Sequence, residues 1–421
     1  MPSVHLIGIG GAGLSAIATV LLQQGYRVSG SDRQPSPATE RLAQLGATVF
    51  IGHRAENLAG PLDTVIISSA IPADNPERVE AKRRGLPVVK RAEWLGQMMA
   101  GKVGVAVAGT HGKTTTTALI AFILQQAGLD PSYIVGGFIP QLDSNAAAGR
   151  GDAFVIEADE YDYMFLGLRP EVAVVTNVEW DHPDMFASPQ ILTRAFEDFV
   201  GLVPASGLVI GCGDDPGARH VLAQAAAPTI TYGLHPENEW QAVDIQPNPR
   251  GGHDFKVKQI HPSSFILHPS SFISVSLSLP GLHNVSNTLA ALIAAERCGV
   301  ELAQAAEIAG HFKGVGRRFE VKGEVNGVTV IDDYAHHPTE IKATLAAART
   351  RFAAGRFGRR SNRTPIAAPW PCSTTLLRRL PTPTTSSSPI FSPPAKPMRA
   401  WSKAAIFWPA CATPTLAAWR Q

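Results

Sequence analysis

The residues best equipped for chemistry in this chain are Gly109-Thr110-His111-Gly112-Lys113-Thr114-Thr115, which follow the apolar run Val105-Ala106-Val107-Ala108. A strand that enters a glycine-bearing turn and then a helix lets main-chain N–H groups close around phosphate oxygens. Lys113 adds a mobile positive charge, and the Thr114 hydroxyl can reach Mg²⁺ at the helix N-terminus. This equipment suits a nucleoside triphosphate and points to an ATP-dependent enzyme. Strict spacing of the motif would place its first glycine at 107, where the chain has Val107. The departure narrows the family without removing the site.

Two later segments bring carboxylates and an imidazole. Ala153-Phe154-Val155-Ile156 reads as a strand delivering Glu157-Ala158-Asp159-Glu160, and Val172 to Val175 as a strand ending in Thr176-Asn177-Val178-Glu179-Trp180-Asp181-His182. Ligands of open α/β sheets collect at the carboxyl ends of strands. Glu157 and His182, with Thr114, are therefore expected beside a metal at the triphosphate. Mg²⁺ prefers oxygen ligands and retains waters, so an imidazole is its less usual partner. A helix cap is the structural alternative for His182, and Asp159, Glu160 and Asp181 read equally well as solvated or supporting acids.

These side chains need an α/β framework. Residues 1 to 98 alternate short apolar strands with helical stretches, as in Val4 to Ile9, Ala12 to Gln24 and Tyr26 to Ser31, which argues for parallel α/β construction. The turn Gly8-Ile9-Gly10-Gly11-Ala12-Gly13 and the later Asp32 pair a glycine turn with an acid suited to a ribose hydroxyl. Taken alone they imply some nucleotide, its type undecided, or a turn shaped for close packing. A second α/β unit opens near Gly101, with the phosphate loop as its first strand-to-helix turn. From about Glu237 to Leu279 regular pattern is lost, and His261-Pro262-Ser263-Ser264-Phe265-Ile266 recurs as His268-Pro269-Ser270-Ser271-Phe272-Ile273. Two copies are too few for a solenoid, so a duplicated insertion in a surface loop is expected.

Composition bounds the rest. The 421 residues leave room for about three domains. The start enters a strand with no basic leader or signal-peptide core, and no apolar run is long enough to span a bilayer. Cys212, Cys298, Cys372 and Cys411 show neither metal spacing nor a disulfide framework, so a cytoplasmic location is expected. No Asp or Glu follows Glu340, and residues 1 to 340 hold 24 basic against 35 acidic groups. The basic tail lacks regularly spaced stacking aromatics, which weighs against nucleic-acid binding.

With these pieces in order, the chain resembles the Mur ligases, and within them the branch that adds L-alanine to UDP-N-acetylmuramate. The resemblance covers roughly residues 1 to 353 and rests on seven motifs in sequence order. They are Gly8 to Ser15, Gly109 to Thr115, Glu157 to Glu160, Asp181-His182, Gly281 to Asn287, Gly314 to Glu320 and Asp332 to Pro338. It implies a three-domain α/β architecture. Residues 1–98 would form an N-terminal Rossmann-like domain for the UDP-sugar, and 99–313 a central P-loop ATP-binding domain carrying the loop of about 237–279. Residues 314–354 would begin a C-terminal Rossmann-like domain left incomplete.

The resemblance further implies that the lactyl carboxylate attacks the γ-phosphate of ATP and that the alanine amine displaces phosphate from the acyl phosphate. Catalytic roles fall on Lys113, Glu157, His182 and His336. ATP contacts fall on Gly109, Thr110, His111, Gly112, Lys113, Thr114, Thr115, His283, Asn287 and Arg317. Substrate contacts fall on Gly10, Gly11, Ala12, Gly13, Asp32, Tyr334 and His336, and Mg²⁺ on Thr114, Glu157 and His182. UDP-N-acetylmuramate and L-alanine are the implied partners, with no nucleic acid, membrane or protein partner. Tyr161 resembles the related ligase that attaches a recovered tripeptide to the same sugar nucleotide, which remains the alternative, together with a non-catalytic nucleotide-binding remnant.

Beyond Gly355 the pattern breaks. Residues 355–421 contain no Val, Asp, Glu, His or Tyr but four of the seven Trp, amid runs such as Pro381-Thr382-Pro383-Thr384-Thr385-Ser386-Ser387-Ser388-Pro389. Residue types whose codons carry a central adenine are represented there only by Asn362, Lys396, Lys403 and Gln421, which is what a GC-rich gene yields one base out of frame. The tail is therefore expected to be a frameshift product without regular structure, with a natural proline-rich tail as the competing reading.

Overall fold

The computed structural model describes residues 1–259, 272–352, 358–361 and 404–409. Two compact units divide it, Met1–Val315 and Gly316–Gln421.

The first unit opens with five parallel strands, β1 (Ser3–Ile7), β2 (Arg27–Asp32), β3 (Thr48–Ile51), β4 (Thr64–Ile67) and β5 (Val88–Lys90), in the order β3-β2-β1-β4-β5. All five residues of β1 are buried, as a strand covered by helices on both faces requires. The strand order reverses between β1 and β4, and a crevice opens at such a switch point. The Gly8–Gly13 turn sits there, between β1 and the helix Ala12–Gln23.

Ten strands form the second sheet. They are β6 (Val103–Ala108), β7 (Ser132–Ile139), β8 (Ser144–Ala147), β9 (Ala153–Glu157), β10 (Val172–Val175), β11 (Leu208–Cys212), β12 (Thr229–Gly233), β13 (Trp240–Pro247), β14 (His253–Gln259) and β15 (Ile273–Leu277). Their order is β15-β14-β13-β12-β11-β10-β6-β9-β7-β8. From β13 across to β7 every pairing is parallel, while β14, β15 and β8 join antiparallel at the edges. Val105 and Val107 face the helices Lys113–Gln126 and Leu282–Arg297, whereas Ala106 and Ala108 belong to a core that continues to Leu6 of the first sheet and Ile17 of the helix Ala12–Gln23. One hydrophobic layer thus joins the two sheets.

The segment 237–279, expected to be an irregular loop, instead supplies β13, β14 and β15. Trp240 and Ala242, Phe255 and Val257, and Val275 and Leu277 are buried at alternate positions. That two-residue period marks half-buried strands, and the neighbouring repeat masked it. Most of the repeat lies outside the described residues.

In the second unit, β16 (Glu320–Val325) and β17 (Val328–Asp332) form a hairpin through Asn326 and Gly327, at φ of 51° and 73°. Consecutive left-handed residues of this type close a two-residue turn. The helix Pro338–Arg351 follows, capped by His337. Then β18 (Gly358–Ser361) and β19 (Ala404–Pro409) complete an antiparallel sheet of order β16-β17-β19-β18. These two strands depart from the expectation of a tail without regular structure; the rest of that expectation falls outside the described residues.

Candidate active site

The phosphate loop leaves the carboxyl end of β6, which β9 and β10 flank. Register sets Val107 beside Glu157 on one side and Ala108 beside Val175 on the other. One strand end thereby collects Lys113, the Glu157–Glu160 segment and the Thr176–His182 segment.

The loop is held before any ligand arrives. Gly109 and Gly112 have φ of 139° and 83°, a region glycine enters without steric cost. A Cβ on Gly109 would strike the Thr176 hydroxyl, and one on Gly112 would come within 2.7 Å of Asn287 Oδ1. The His111 N–H donates to Asn177 Oδ1 at 2.9 Å, and Thr176 Oγ1 donates to the His111 carbonyl at 2.5 Å. Thr110 Oγ1 donates to the Glu179 carbonyl at 2.8 Å, while His111 Nε2 and Glu179 Oε2 stand 3.1 Å apart. No side chain caps the helix Lys113–Gln126 at Gly112, which leaves its first turn, including Thr115, suited to an anion.

Charges meet just beneath the loop. The Lys113 ammonium donates to Glu160 Oε2 at 2.7 Å and to the Gly109 carbonyl at 2.5 Å. Burial works against its charge, but the carboxylates of Glu160, Asp159 and Glu157 outweigh burial and hold the ammonium above its ordinary range. Thr114 Oγ1 donates to Glu157 Oε1 at 3.0 Å, and the Gly136 N–H donates to Glu157 Oε2 at 2.7 Å. Glu160 is 1 % exposed, and its Oε1 lies 3.8 Å from His182 Nε2. His182 is left-handed at φ 53°, its N–H donated to Asp181 Oδ1. The Tyr161 ring packs edge-on against it at 5.2 Å. Thr114 and Glu157 thus pair two oxygen donors of the kind a small divalent cation takes, while His182 meets Glu160.

Two participants escaped the sequence reading. Glu160 was indistinguishable from a solvated acid until the structure placed it between Lys113 and His182. Arg91 leads the helix Arg91–Met98, reaches within 4.0 Å of Asp159, and occupies the space that a Cβ on Gly13 would need. It therefore links the first glycine turn to the acidic segment. Only the Glu157-x-x-Glu160 spacing beyond a strand could have flagged the former, and no local signal marks the latter.

Among the other expected residues, Asn287 is buried beside Gly112, and His283 is exposed one turn earlier in the same helix. At the first switch point the Gly10 N–H donates to Asp32 Oδ2 at 2.9 Å, and Arg33 N–H donates to Asp32 Oδ1 at 2.7 Å. Gly11 and Ala12 are exposed where the helix begins. In the second unit the Arg317 guanidinium lies 4.7 Å from the centre of the Tyr334 ring, which meets His336 edge-on at 5.5 Å. His336 Nδ1 stands 3.5 Å from Glu340 Oε2. Arg317 and Phe319 are both left-handed, and burial pushes the neighbouring Asp333 carboxyl above its usual range.

Comparison with known proteins gives a consistent answer. Residues 3–103 match the Mur ligase family catalytic domain, 107–295 the Mur ligase middle domain, and 317–359 the Mur ligase glutamate ligase domain. The UDP-N-acetylmuramate–L-alanine ligase of Renibacterium salmoninarum is 49% identical over 354 residues, covering 82% of this chain and 73% of that protein. Its namesake from Pelotomaculum thermopropionicum is 46% identical over 346 residues, with the same coverage of each chain. Among solved structures, the UDP-N-acetylmuramate-alanine ligase of Thermotoga maritima superimposes with a TM-score of 0.72 at 30% identity, covering 84% of this chain and 79% of that one. The UDP-N-acetylmuramate:L-alanyl-γ-D-glutamyl-meso-diaminopimelate ligase of Neisseria meningitides gives 0.67 at 31% identity, covering 75% of this chain and 100% of that one. With three consecutive domains matched and the phosphate loop in place, this chain belongs to the Mur ligase family of ATP-dependent ligases.

Proposed function

We propose that this chain is built to ligate L-alanine to the lactyl carboxylate of UDP-N-acetylmuramate through an acyl phosphate, a step in peptidoglycan precursor synthesis. In this reading residues 1–98 hold the sugar nucleotide at the Gly10–Gly13 turn and Asp32, and residues 99–313 hold ATP. Residues 314–354 begin the third domain and contribute Arg317, Tyr334 and His336. The observation that carries the reading is the pair of linked sets beneath a preset phosphate loop, Lys113–Glu160–His182 and Thr114–Glu157.

Each group has work that follows from its chemistry. Lys113 offsets the charge of the transferring phosphoryl group, and the loop N–H groups orient it; positioning and charge neutralisation supply most of the catalysis in phosphoryl transfer. Thr114, Glu157 and His182 would hold Mg²⁺, which when bound neutralises phosphate charge. Asn287 fixes the geometry of Gly112. The substrates are cytoplasmic in this reading, and among the described residues no helix is long and apolar enough to cross a membrane.

The tail bears on rate. Residues 355–421 supply no His, Tyr, Asp or Glu, and the family match ends at residue 359. We read the tail as out of frame and the chain as binding both nucleotides while ligating slowly. Resequencing the gene around codons 350 to 360 tests this, since a restored frame must yield His- and Arg-bearing strand and helix units. Tyr161, which donates to Asp184 Oδ2 at 3.0 Å and packs on His182, favours the tripeptide-adding alternative. Competition between L-alanine and that tripeptide in a ligation assay separates the two.

A further inference from the structure

We propose that Glu160 is a latch on Lys113, a buried carboxylate that competes with the triphosphate for the ammonium and couples nucleotide binding to cation binding. The inference rests on the ATP site proposed above. Lys113 has Glu160 Oε2 at 2.7 Å, the Gly109 carbonyl at 2.5 Å and the Thr110 carbonyl at 3.4 Å as acceptors. Only the first is charged, so it is the strongest competitor for a phosphate oxygen. A lysine that serves the triphosphate must exchange this partner first.

The exchange leaves a problem that the fold itself poses. Glu160 is 1 % exposed, so a carboxylate deserted by Lys113 cannot turn to water, and an uncompensated buried charge is strongly unfavourable. The remaining face of the carboxylate points to His182, with Oε1 3.8 Å from Nε2. Positive charge arriving on that side, a divalent cation or an imidazolium, would replace what Lys113 withdrew. The left-handed backbone at His182, Asp162 and Tyr163 shows the surrounding loops held in costly conformations, as expected where a side-chain position is enforced. Nucleotide and cation then each make room for the other, and linkage requires that the benefit be reciprocal.

The test uses the full chain and N-methylanthraniloyl-ATP, titrated in EDTA and again in Mg²⁺, for the unaltered protein, Glu160→Gln, Lys113→Ala and the double variant. Because Lys113 is mostly engaged when the site is empty, Glu160→Gln should tighten binding in EDTA by about five- to tenfold. The ratio of affinities with and without Mg²⁺ should shrink by at least that factor. The tightening should vanish in the Lys113→Ala background. Unchanged or weaker binding in EDTA by a Glu160→Gln variant with an unaltered melting curve would overturn the latch, as would tightening that survives Lys113→Ala. If Glu160→Gln does not fold, Glu160→Asp should tighten binding by a smaller factor, and its failure to do so overturns the latch equally. Absence of any nucleotide binding by the unaltered chain would overturn the ATP site, and the latch with it.

Discussion

The unit Met1–Val315 buries whole strands on both faces of its sheets, whereas the hydrophobic cluster of the unit from Gly316 consists, among the described residues, of Ile331 and Leu345 with Phe319, Ile341 and Phe352 around them. The contrast governs what each can do with its polar groups. In the first unit, rigid strand ends fix the phosphate loop to within a hydrogen bond on several sides. In the second, the Arg317 guanidinium lies over the Tyr334 ring and His336 meets that ring edge-on, at the end of a hairpin with little core beneath it. A positioned site needs walls that cost more to move than the ligand gains by moving them.

Replacing Lys113 by Ala should break the stronger side of this contrast most severely. It removes the only charged donor found on the phosphate loop, and nucleotide affinity should fall by about 100-fold, close to 3 kcal/mol. Titration with a fluorescent ATP analogue measures it, and an unchanged affinity would place the nucleotide elsewhere. Ile331→Ala attacks the weaker side. A deleted core side chain costs about 2–5 kcal/mol, which a two-residue cluster cannot absorb, so proteases should cut between Gly316 and Arg351 first. Nucleotide affinity should meanwhile fall by less than in Lys113→Ala, since Arg317 is the ATP contact proposed for this unit while the phosphate loop lies in the other.

Gly112→Ala should cost about 1–3 kcal/mol through its left-handed backbone, aggravated by Asn287. A matching loss of nucleotide affinity, with the melting point lowered by only a few degrees, is expected. Acid sharpens the contrast by sign. Burial pushes Glu77 up, but hydrogen bonds from His5, Ser31 and Asn57 outweigh it and leave the carboxyl below its ordinary 4.5. Its contribution is therefore complete above that value and is lost as pH falls through the folded one. Asp333 is raised above 3.8 by burial, so its ionisation costs the second unit stability, and that cost disappears as pH falls through the raised value. Amide exchange corrected for intrinsic rate should show Ser31 to Asn57 loosening in acid while Phe319 to Ala335 tightens. Movement in the same direction would contradict the assignment.

The phosphate loop, both glycine turns and the strands leading to Glu157 and His182 were legible because each is a local pattern of apolar run and turn. Strand order was not, since nothing near β6 announces that β9 and β10 flank it. That order brings Glu179 to His111 and Glu160 to Lys113, across 68 and 47 positions of chain. Arg91 was hidden for the same reason. The strands β13 to β15 were readable in principle through their alternation, which the repeat at 261–273 interrupts between β14 and β15.

The decisive measurement is phosphate release by the purified 421-residue chain given ATP, Mg²⁺, UDP-N-acetylmuramate and L-alanine, with nucleotide binding titrated on the same sample. Saturable binding accompanied by release slower than about 10⁻² s⁻¹, roughly three orders below a median enzyme, is expected from an intact first unit and the out-of-frame tail proposed above. Release near the ~10 s⁻¹ of an ordinary enzyme, dependent on both the alanine and the sugar nucleotide, would contradict it.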